Sequence, residues 1–254
     1  MSARDQAKRA GTEEAVWQRV EFGSYVADLP LWDELAGRGG PVLELGAGWG
    51  RVSLRLARGG AAVTAVELDP ELAEELAATA AAEGLPLTVL SGDAAELRRL
   101  WPSEARPVAV AIAPLHLVQQ LSPEVRPTLL EALAALAAPG ARIALTVVDE
   151  GSLLEGGLEP GAVPDMLELD GRVYSSEPLW VQLGEETLAV RRMRQRVGPD
   201  GAIERSVEDE LLHRLDPVAL EAEAASVGLA ALERREIRSG PAEADSIAVI
   251  LERP

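Results

Sequence analysis

The sequence contains no cysteine, only two histidines and 3% aromatic residues among its 254 residues. Without cysteine the chain cannot be a disulfide scaffold, bind zinc or an iron–sulfur cluster through thiolates, or use a thiol nucleophile. His116 and His213 are too few for a histidine-rich metal centre. No bound metal is therefore expected.

Positive charge is also scarce, since the chain has 24 basic residues against 42 acidic ones and a formal net charge of −18. Nucleic acids and anionic membranes attract clustered positive charge, so neither is an expected partner. No run of about 18 apolar residues occurs, and the N-terminal stretch MSARDQAKRAG lacks the apolar centre of a secretory signal. We expect a cytoplasmic protein.

Hydrophobic residues make up 47% of the chain, enough for the core of one large α/β domain. Short apolar runs alternate with helical stretches through the first 150 residues, which is typical of a doubly wound parallel sheet. The runs are PVLEL at 41–45, AVTAVE at 62–67, LTVL at 87–90, PVAVAIA at 107–113 and RIALTVV at 142–148. One predicted helix begins after Asp69 and Pro70 and ends at Gly84, and another extends from Ser122–Pro123 to Pro139–Gly140.

The pattern changes after residue 150. Residues 151–168 are rich in Gly and Pro and predict a loop, and residues 171–212 predict an antiparallel meander. A helix from Asp216–Pro217 and strands near 229–237 and 246–252 then complete the chain. We predict one domain, residues 1–254, with four parts: an N-terminal helical segment at 1–40, a strand–helix core at 41–150, an inserted lid at 151–212 and a closing helix with two strands at 213–254.

A glycine-rich loop follows the first predicted strand, where residues 42–51 read VLELGAGWGR. Glycines at 46, 48 and 50 let the backbone turn sharply and let a ligand approach the main chain. The dinucleotide fingerprint requires a further glycine at position 51, which is Arg51 here. A pyrophosphate cofactor is therefore disfavoured.

Carboxylates end the next two strands. Glu67 is placed to accept the hydroxyls of a ribose lying over the glycine loop, or else it is a solvated strand end. Asp69 precedes Pro70 and is assigned to helix capping. Asp93 either accepts a hydrogen bond from the amine of a base or caps the next helix, and both roles are compatible.

These motifs in this order resemble the class I S-adenosylmethionine-dependent methyltransferases. The resemblance covers roughly residues 41–150 through VLELGAGWGR, AVELD, SGDA, VAVAIAP, APG and IALTVV. It implies a Rossmann-like, doubly wound, mostly parallel seven-stranded sheet, with the two last strands as its antiparallel pair and the meander inserted after the fifth strand. It also implies S-adenosyl-L-methionine as the cofactor and S-adenosyl-L-homocysteine as the product.

The resemblance assigns roles around this cofactor. The glycine loop would face its amino-acid half, Glu67 its ribose, and Asp93 with Ala94 its adenine. Glu44 would lie near the methionine amino group and Ala113 below the sulfonium, while Trp49 packs on the cofactor or narrows its pocket. The full predicted cofactor set is Glu44, Gly46, Ala47, Gly48, Trp49, Glu67, Leu68, Asp93, Ala94 and Ala113.

The residues that bind the methyl acceptor are harder to identify from the sequence, because in-line methyl transfer depends mainly on alignment and exclusion of water and requires no fixed catalytic motif. His116, after the fourth strand, is the candidate general base, although a loop histidine pointing elsewhere fits as well. Tyr25, Tyr174 and Trp180 are candidate pocket walls. Arg194 either holds an anionic group of the acceptor or belongs, with neighbouring arginines, to an ion-pair ladder with Glu204, Glu208 and Asp209.

The leading hypothesis is methyl transfer to an oxygen or nitrogen nucleophile of a small molecule by a monomer or homodimer. A non-catalytic S-adenosylmethionine-binding protein and an aminopropyltransferase on the same fold are the alternatives, and a nicotinamide dehydrogenase is the last. The amine-methylase signature of enzymes acting on nucleic-acid bases is absent, which agrees with the acidic charge.

Overall fold

The structure is a computed structural model that describes residues 13–103, 105–156, 164–240 and 244–254. Its helices are α1 (Glu13–Phe22), α2 (Leu29–Ala36), α3 (Ser53–Arg58), α4 (Pro70–Glu83), α5 (Leu97–Leu100, after a 3₁₀ turn at Ala94–Glu96), α6 (Leu117–Gln120), α7 (Arg126–Leu136), α8 (Glu150–Gly156) and α9 (Pro217–Ser226). Its strands are β1 (Val42–Leu45), β2 (Val63–Glu67), β3 (Leu87–Ser91), β4 (Val108–Ala113), β5 (Ala137–Val148), β6 (Asp165–Leu169), β7 (Arg172–Leu183), β8 (Thr187–Val197), β9 (Ile203–His213), β10 (Ala230–Ile237) and β11 (Ser246–Glu252).

Seven strands form the main sheet in the order β10-β11-β5-β4-β1-β2-β3. The five N-terminal strands are parallel, whereas β11 runs antiparallel to both β5 and β10. Strands β6–β9 form a separate antiparallel sheet, inserted in the sequence between β5 and α9. The predicted fold class is confirmed.

Both faces of the main sheet are buried, which explains the nearly continuous apolar strands. Leu43 and Leu45 of β1 pack into the cluster that contains α7 and α9, while Val42 packs into the opposite cluster with Trp32 and Leu56. Because side chains alternate along a strand, Glu44 lies on the same face as Val42, towards α3. A carboxyl group is thereby placed inside an apolar layer.

Local capping fixes the helix after β2. The Asp69 side chain accepts hydrogen bonds from the amides of Glu71 and Leu72, and Pro70 occupies the first turn. Gly84 ends the helix with a left-handed φ of 65°. These are the predicted bounds, because both signals are local.

Three predicted elements have other boundaries in the structure. The helix predicted from Ser122–Pro123 to Pro139–Gly140 is α7, which spans Arg126–Leu136. The fifth strand begins at Ala137 rather than near Arg142, since Ala137 pairs with Val108 before a bulge that contains Pro139 and Gly140. The predicted loop at 151–168 is wrong at both ends, because 151–156 lie in α8 and 165–168 lie in β6. Residues 157–163 of that segment, and the N-terminal stretch used in the signal-peptide argument, lie outside the described residues.

Helix α1 bridges the two sheets. Its Trp17 packs edge-on against Tyr174 of β7, with the ring centroids 5.4 Å apart. The Arg194 guanidinium of β8 donates two 2.8 Å hydrogen bonds to the Glu21 carboxylate, and Arg19 forms an ion pair with Glu75 of α4. None of the helices in the described ranges is long and apolar enough to cross a membrane.

Candidate cofactor and acceptor sites

The glycine loop lies where β1 ends, between β4 and β2, at the carboxyl edge of the sheet. In a doubly wound fold this reversal of strand order leaves a crevice in which ligands bind. Gly46 and Gly48 have φ values of 65° and 56°, a region that favours glycine. The sharp turn therefore depends on these two residues.

Glu67 is buried at the end of β2, where two backbone amides hold its carboxylate. Oε2 accepts from the amide of Gly48 at 2.7 Å, and Oε1 accepts from the amide of Asp69 at 2.9 Å. Glu67 is thus tied directly to the glycine loop, which excludes the reading of a solvated strand end. Asp93 Oδ1 accepts from the Ala95 amide at 2.8 Å, so its capping role is present and its second oxygen remains for another partner.

A cleft of about 440 Å³ opens above these residues. The predicted residues on its walls are Glu44, Gly46, Ala47, Gly48, Trp49, Glu67, Leu68, Asp93 and Ala94. Ala113 does not reach the cleft, because it is fully buried and its carbonyl accepts from Thr146. Pro114, Leu115 and Leu117 line that part of the cleft instead.

Glu44 is the most perturbed group of the cleft. Its carboxylate is buried between β1 and α3 and accepts a short hydrogen bond from the Ser53 hydroxyl. Burial raises the pKa of Glu44 to about 8, against the opposing effects of Ser53 and Arg51. Glu44 is therefore largely protonated at neutral pH.

Gln18 of α1 was not predicted from the sequence. Its Oε1 accepts from the Trp49 amide at 3.3 Å and lies 2.3 Å from the position that a Cβ on Gly48 would occupy. A side chain from α1 therefore reaches onto the glycine loop. Nothing in the local sequence around Gln18 marks this contact, since α1 lies far from the loop along the chain.

A second, smaller cavity of about 110 Å³ adjoins the cleft. Its apolar walls combine Val181, Leu188, Val190 and Leu212 of the inserted sheet with residues of α1, β5, α8 and the turn after β4. Its polar lining includes Glu21, His116, Asp165, Arg192, Glu210 and Ser246. Phe22, Leu115 and Glu210 line both cavities. A molecule in the small cavity would therefore lie beside a ligand in the cleft.

His116 is held in a fixed position at this cavity. Its backbone is left-handed with a φ of 62°, its amide donates to Thr146 Oγ1 at 3.0 Å, and its Nε2 lies 2.8 Å from Ser246 Oγ. Burial lowers the pKa of His116 to about 4, so the imidazole is neutral at physiological pH. The neutral ring can hydrogen-bond to a ligand, but it is a weaker base than an ordinary histidine.

Comparisons with known proteins agree with this geometry. Residues 42–140 match the family model described as a methyltransferase domain. Over these residues the chain is similar to methyltransferase domains.

Ribosomal RNA small subunit methyltransferase A of Mycobacterium avium (strain 104) is 46% identical over 79 residues, which cover 30% of this chain and only about a quarter (25%) of that protein. An S-adenosylmethionine-dependent methyltransferase from Clostridium acetobutylicum superposes with a TM-score of 0.69 at 13% identity, covering 93% of this chain and 96% of that one. CalS10, an amino pentose methyltransferase from Micromonospora echinaspora solved with S-adenosylmethionine bound, gives a TM-score of 0.68 at 15% identity, covering 94% and 97%. At these identities the structural matches establish the fold.

The cleft fits S-adenosylmethionine. It combines a buried carboxylate on the glycine loop (Glu67), a second carboxylate with a spare oxygen (Asp93) and a protonatable carboxyl at its base (Glu44). The first two would hold ribose hydroxyls and an adenine amine. An ammonium group bound beside Glu44 would favour the ionised form of this carboxyl group. When bound, the cofactor supplies an electrophilic methyl group.

Of the predicted acceptor residues, Tyr25 and His116 line the small cavity. The structure does not bring Tyr174, Trp180 or Arg194 to it. Tyr174 is buried against Trp17 of α1, and Trp180 is 37% exposed beneath the Arg191 guanidinium. Arg194 is occupied by Glu21.

The arginines of β8 form ion pairs, but only partly in the predicted ladder. Arg191 pairs with Asp209 and Arg196 pairs with Glu204 across the sheet, as the ladder requires. Arg192 and Arg194 pair instead with carboxylates of β6 and α1. They face the helix that covers the sheet, so their partners lie on distant elements.

Proposed function

We propose that this protein transfers the methyl group of S-adenosylmethionine to an oxygen or nitrogen nucleophile of a small molecule. The observation that carries the proposal is the pair of adjoining cavities, which share Phe22, Leu115 and Glu210. Methyl transfer from a sulfonium is an in-line displacement, so it needs an acceptor held directly beside the methyl donor and shielded from water.

The residues of this chain would act mainly by alignment. The glycine loop and Glu67 fix one ligand at the carboxyl edge of the sheet, and the apolar walls from β7–β9 exclude water from the neighbouring cavity. His116 is proposed as the general base or as a hydrogen-bonding group at the acceptor, with its ring positioned by Ser246. Its low pKa favours the second of these roles.

A small acceptor is favoured over ribosomal RNA, the substrate named for the curated relatives. The relative from Mycobacterium avium matches 30% of this chain and 25% of its own length. The net charge of −18 opposes binding to a phosphate backbone. The small cavity, which we call the acceptor cavity because the acceptor would bind there, is also narrow. The inserted sheet and α1 close over it.

Calorimetric titration with S-adenosylhomocysteine, with NAD as the control ligand, tests the cofactor assignment. We expect micromolar binding of S-adenosylhomocysteine and none of NAD. Glu67→Ala should weaken this binding by about 1–3 kcal/mol, the cost of leaving buried partners without a hydrogen bond, whereas the exposed Glu71→Ala should not. An unchanged affinity in Glu67→Ala, or no binding by the wild type, would refute the assignment.

Formation of S-adenosylhomocysteine from S-adenosylmethionine in the presence of small amines, phenols and carboxylates then tests turnover. We expect product with at least one acceptor class and none with ribosomal RNA. Tight cofactor binding without turnover on any class would favour a non-catalytic binding protein.

A further inference from the structure

Glu210 lines the small cavity and takes no part in the ion pairs that surround it among the described residues. Asp165 pairs with Arg192 at 2.9 Å, and Glu21 pairs with Arg194 at 2.8 Å. His116 is neutral. Within the described ranges, Glu210 has no ion-pair partner within 4.0 Å, and it receives a hydrogen bond from the Gln120 side chain.

The Glu210 side chain faces the two cavities. It lies on the inward face of β9, two residues before Leu212, which also lines the acceptor cavity. It borders the cofactor cleft as well. Desolvation and the nearby Glu21 raise the pKa of Glu210, against the opposing effects of Arg192, Gln120 and Arg194. The Glu210 side chain is exposed, and it lies at the junction of the two cavities, where methyl donor and acceptor would meet.

We propose that the acceptor is a small molecule with an apolar body and a primary or secondary amine, and that Glu210 binds this amine as an ammonium ion and takes its proton. This inference rests on the proposed methyltransferase function. An anionic acceptor is disfavoured because Glu210 would repel it. A neutral alcohol at this junction would displace water from the Glu210 carboxylate without supplying an opposite charge.

The reaction then balances. The ammonium ion gives one proton to the Glu210 carboxylate, which leaves a lone pair on nitrogen. That lone pair forms the new N–C bond as the bond between carbon and sulfur breaks, and the electron pair of the broken bond stays on sulfur as a thioether. The products are an N-methylammonium ion and S-adenosylhomocysteine, and the proton passes from Glu210 to solvent.

The test compares binding of cyclohexylamine and of cyclohexanol, which has nearly the same shape, to the complex with S-adenosylhomocysteine by calorimetry near pH 7.5. In the wild type, we expect the amine to bind at least tenfold more tightly than the alcohol. Glu210→Gln should abolish this preference. Glu208→Gln removes a charge from the same face of β9 without lining either cavity, and it should keep the preference.

S-adenosylhomocysteine binding separates the two proposals. If the wild type does not bind it, the proposed function fails. If it binds but shows no preference for the amine, or if the preference survives in Glu210→Gln, the amine inference is overturned. Loss of S-adenosylhomocysteine or S-adenosylmethionine affinity in Glu210→Gln would also overturn it, since Glu210 would then belong to the cofactor site.

Discussion

The buried carboxyl of Glu44 should make the stability of the protein fall as the pH rises. Its pKa is about 8 in the folded protein, against 4.5 for an ordinary glutamate. Between these values the unfolded chain has released a proton that the folded protein retains. Stability from this group is thus fully present below pH 4.5 and is lost as the pH rises to 8, by about 1.4 kcal/mol per pH unit. The whole interval amounts to about 5 kcal/mol.

Glu44→Gln removes the titration while keeping a polar group of similar shape beside Ser53. We expect the unfolding free energy of this variant, relative to wild type, to increase by about 4 kcal/mol between pH 5 and pH 8. Urea unfolding followed by circular dichroism at half-unit pH steps measures this difference. Glu131→Gln, on the exposed side of α7, is the control and should differ from wild type by the same amount at every pH.

The variant must be compared with the wild type because His116 changes the unfolding free energy with pH in the opposite direction to Glu44. The pKa of His116 is about 4 in the folded protein and 6.5 when unfolded, so its contribution to stability is lost as the pH falls from 6.5 to 4. Between pH 4.5 and 6.5 the two slopes cancel in the wild type. A difference between Glu44→Gln and wild type that does not change with pH would refute the assignment of a raised pKa to Glu44.

Two further predictions concern buried charges. Between pH 6.5 and pH 4 the unfolding free energy of the wild type should fall by about 3 kcal/mol relative to that of His116→Asn, measured by the same urea titrations. A difference between the two proteins that does not change with pH would exclude His116 as the titrating group. Arg126→Met should cost about 3–5 kcal/mol, because the buried guanidinium pairs with Glu223 at 2.8 Å and donates to two backbone carbonyls. The control Arg55→Met breaks an exposed pair with Asp33 and should cost less than about 1 kcal/mol, so similar losses in the two variants would contradict this reasoning.

The residues that line the cleft at the ends of β1, β2 and β3 were predictable because their signals are local. A buried strand ending in Gly46, a carboxylate at the tip of the next strand and the Asp69–Pro70 cap each occupy a few consecutive residues. In a parallel sheet the carboxyl ends of neighbouring strands meet at one edge, so local signals converge without knowledge of the packing. Ala113 failed because the chain turns beyond β4, where Leu115 and His116 adopt left-handed backbone conformations.

The acceptor half depended on tertiary structure. The sequence gives alternating residues along β7–β9, but it does not say which face meets α1 and which meets solvent. A change of one residue in register exchanges the two faces. The aromatic side chains of Tyr174 and Trp180 therefore suggested pocket walls, whereas the structure places one against α1 and the other at the surface.

Composition, helix caps, the glycine loop and the order of strands and helices follow from the sequence by itself, because each depends on neighbours in the chain. The contact of Gln18 with the glycine loop and the position of Glu210 between the two cavities follow only from the docking of α1 and of the inserted sheet onto the main sheet. That docking pairs residues more than 150 positions apart, such as Glu21 and Arg194. Such contacts depend on the packing of whole surfaces, which cannot be predicted from a short stretch of sequence.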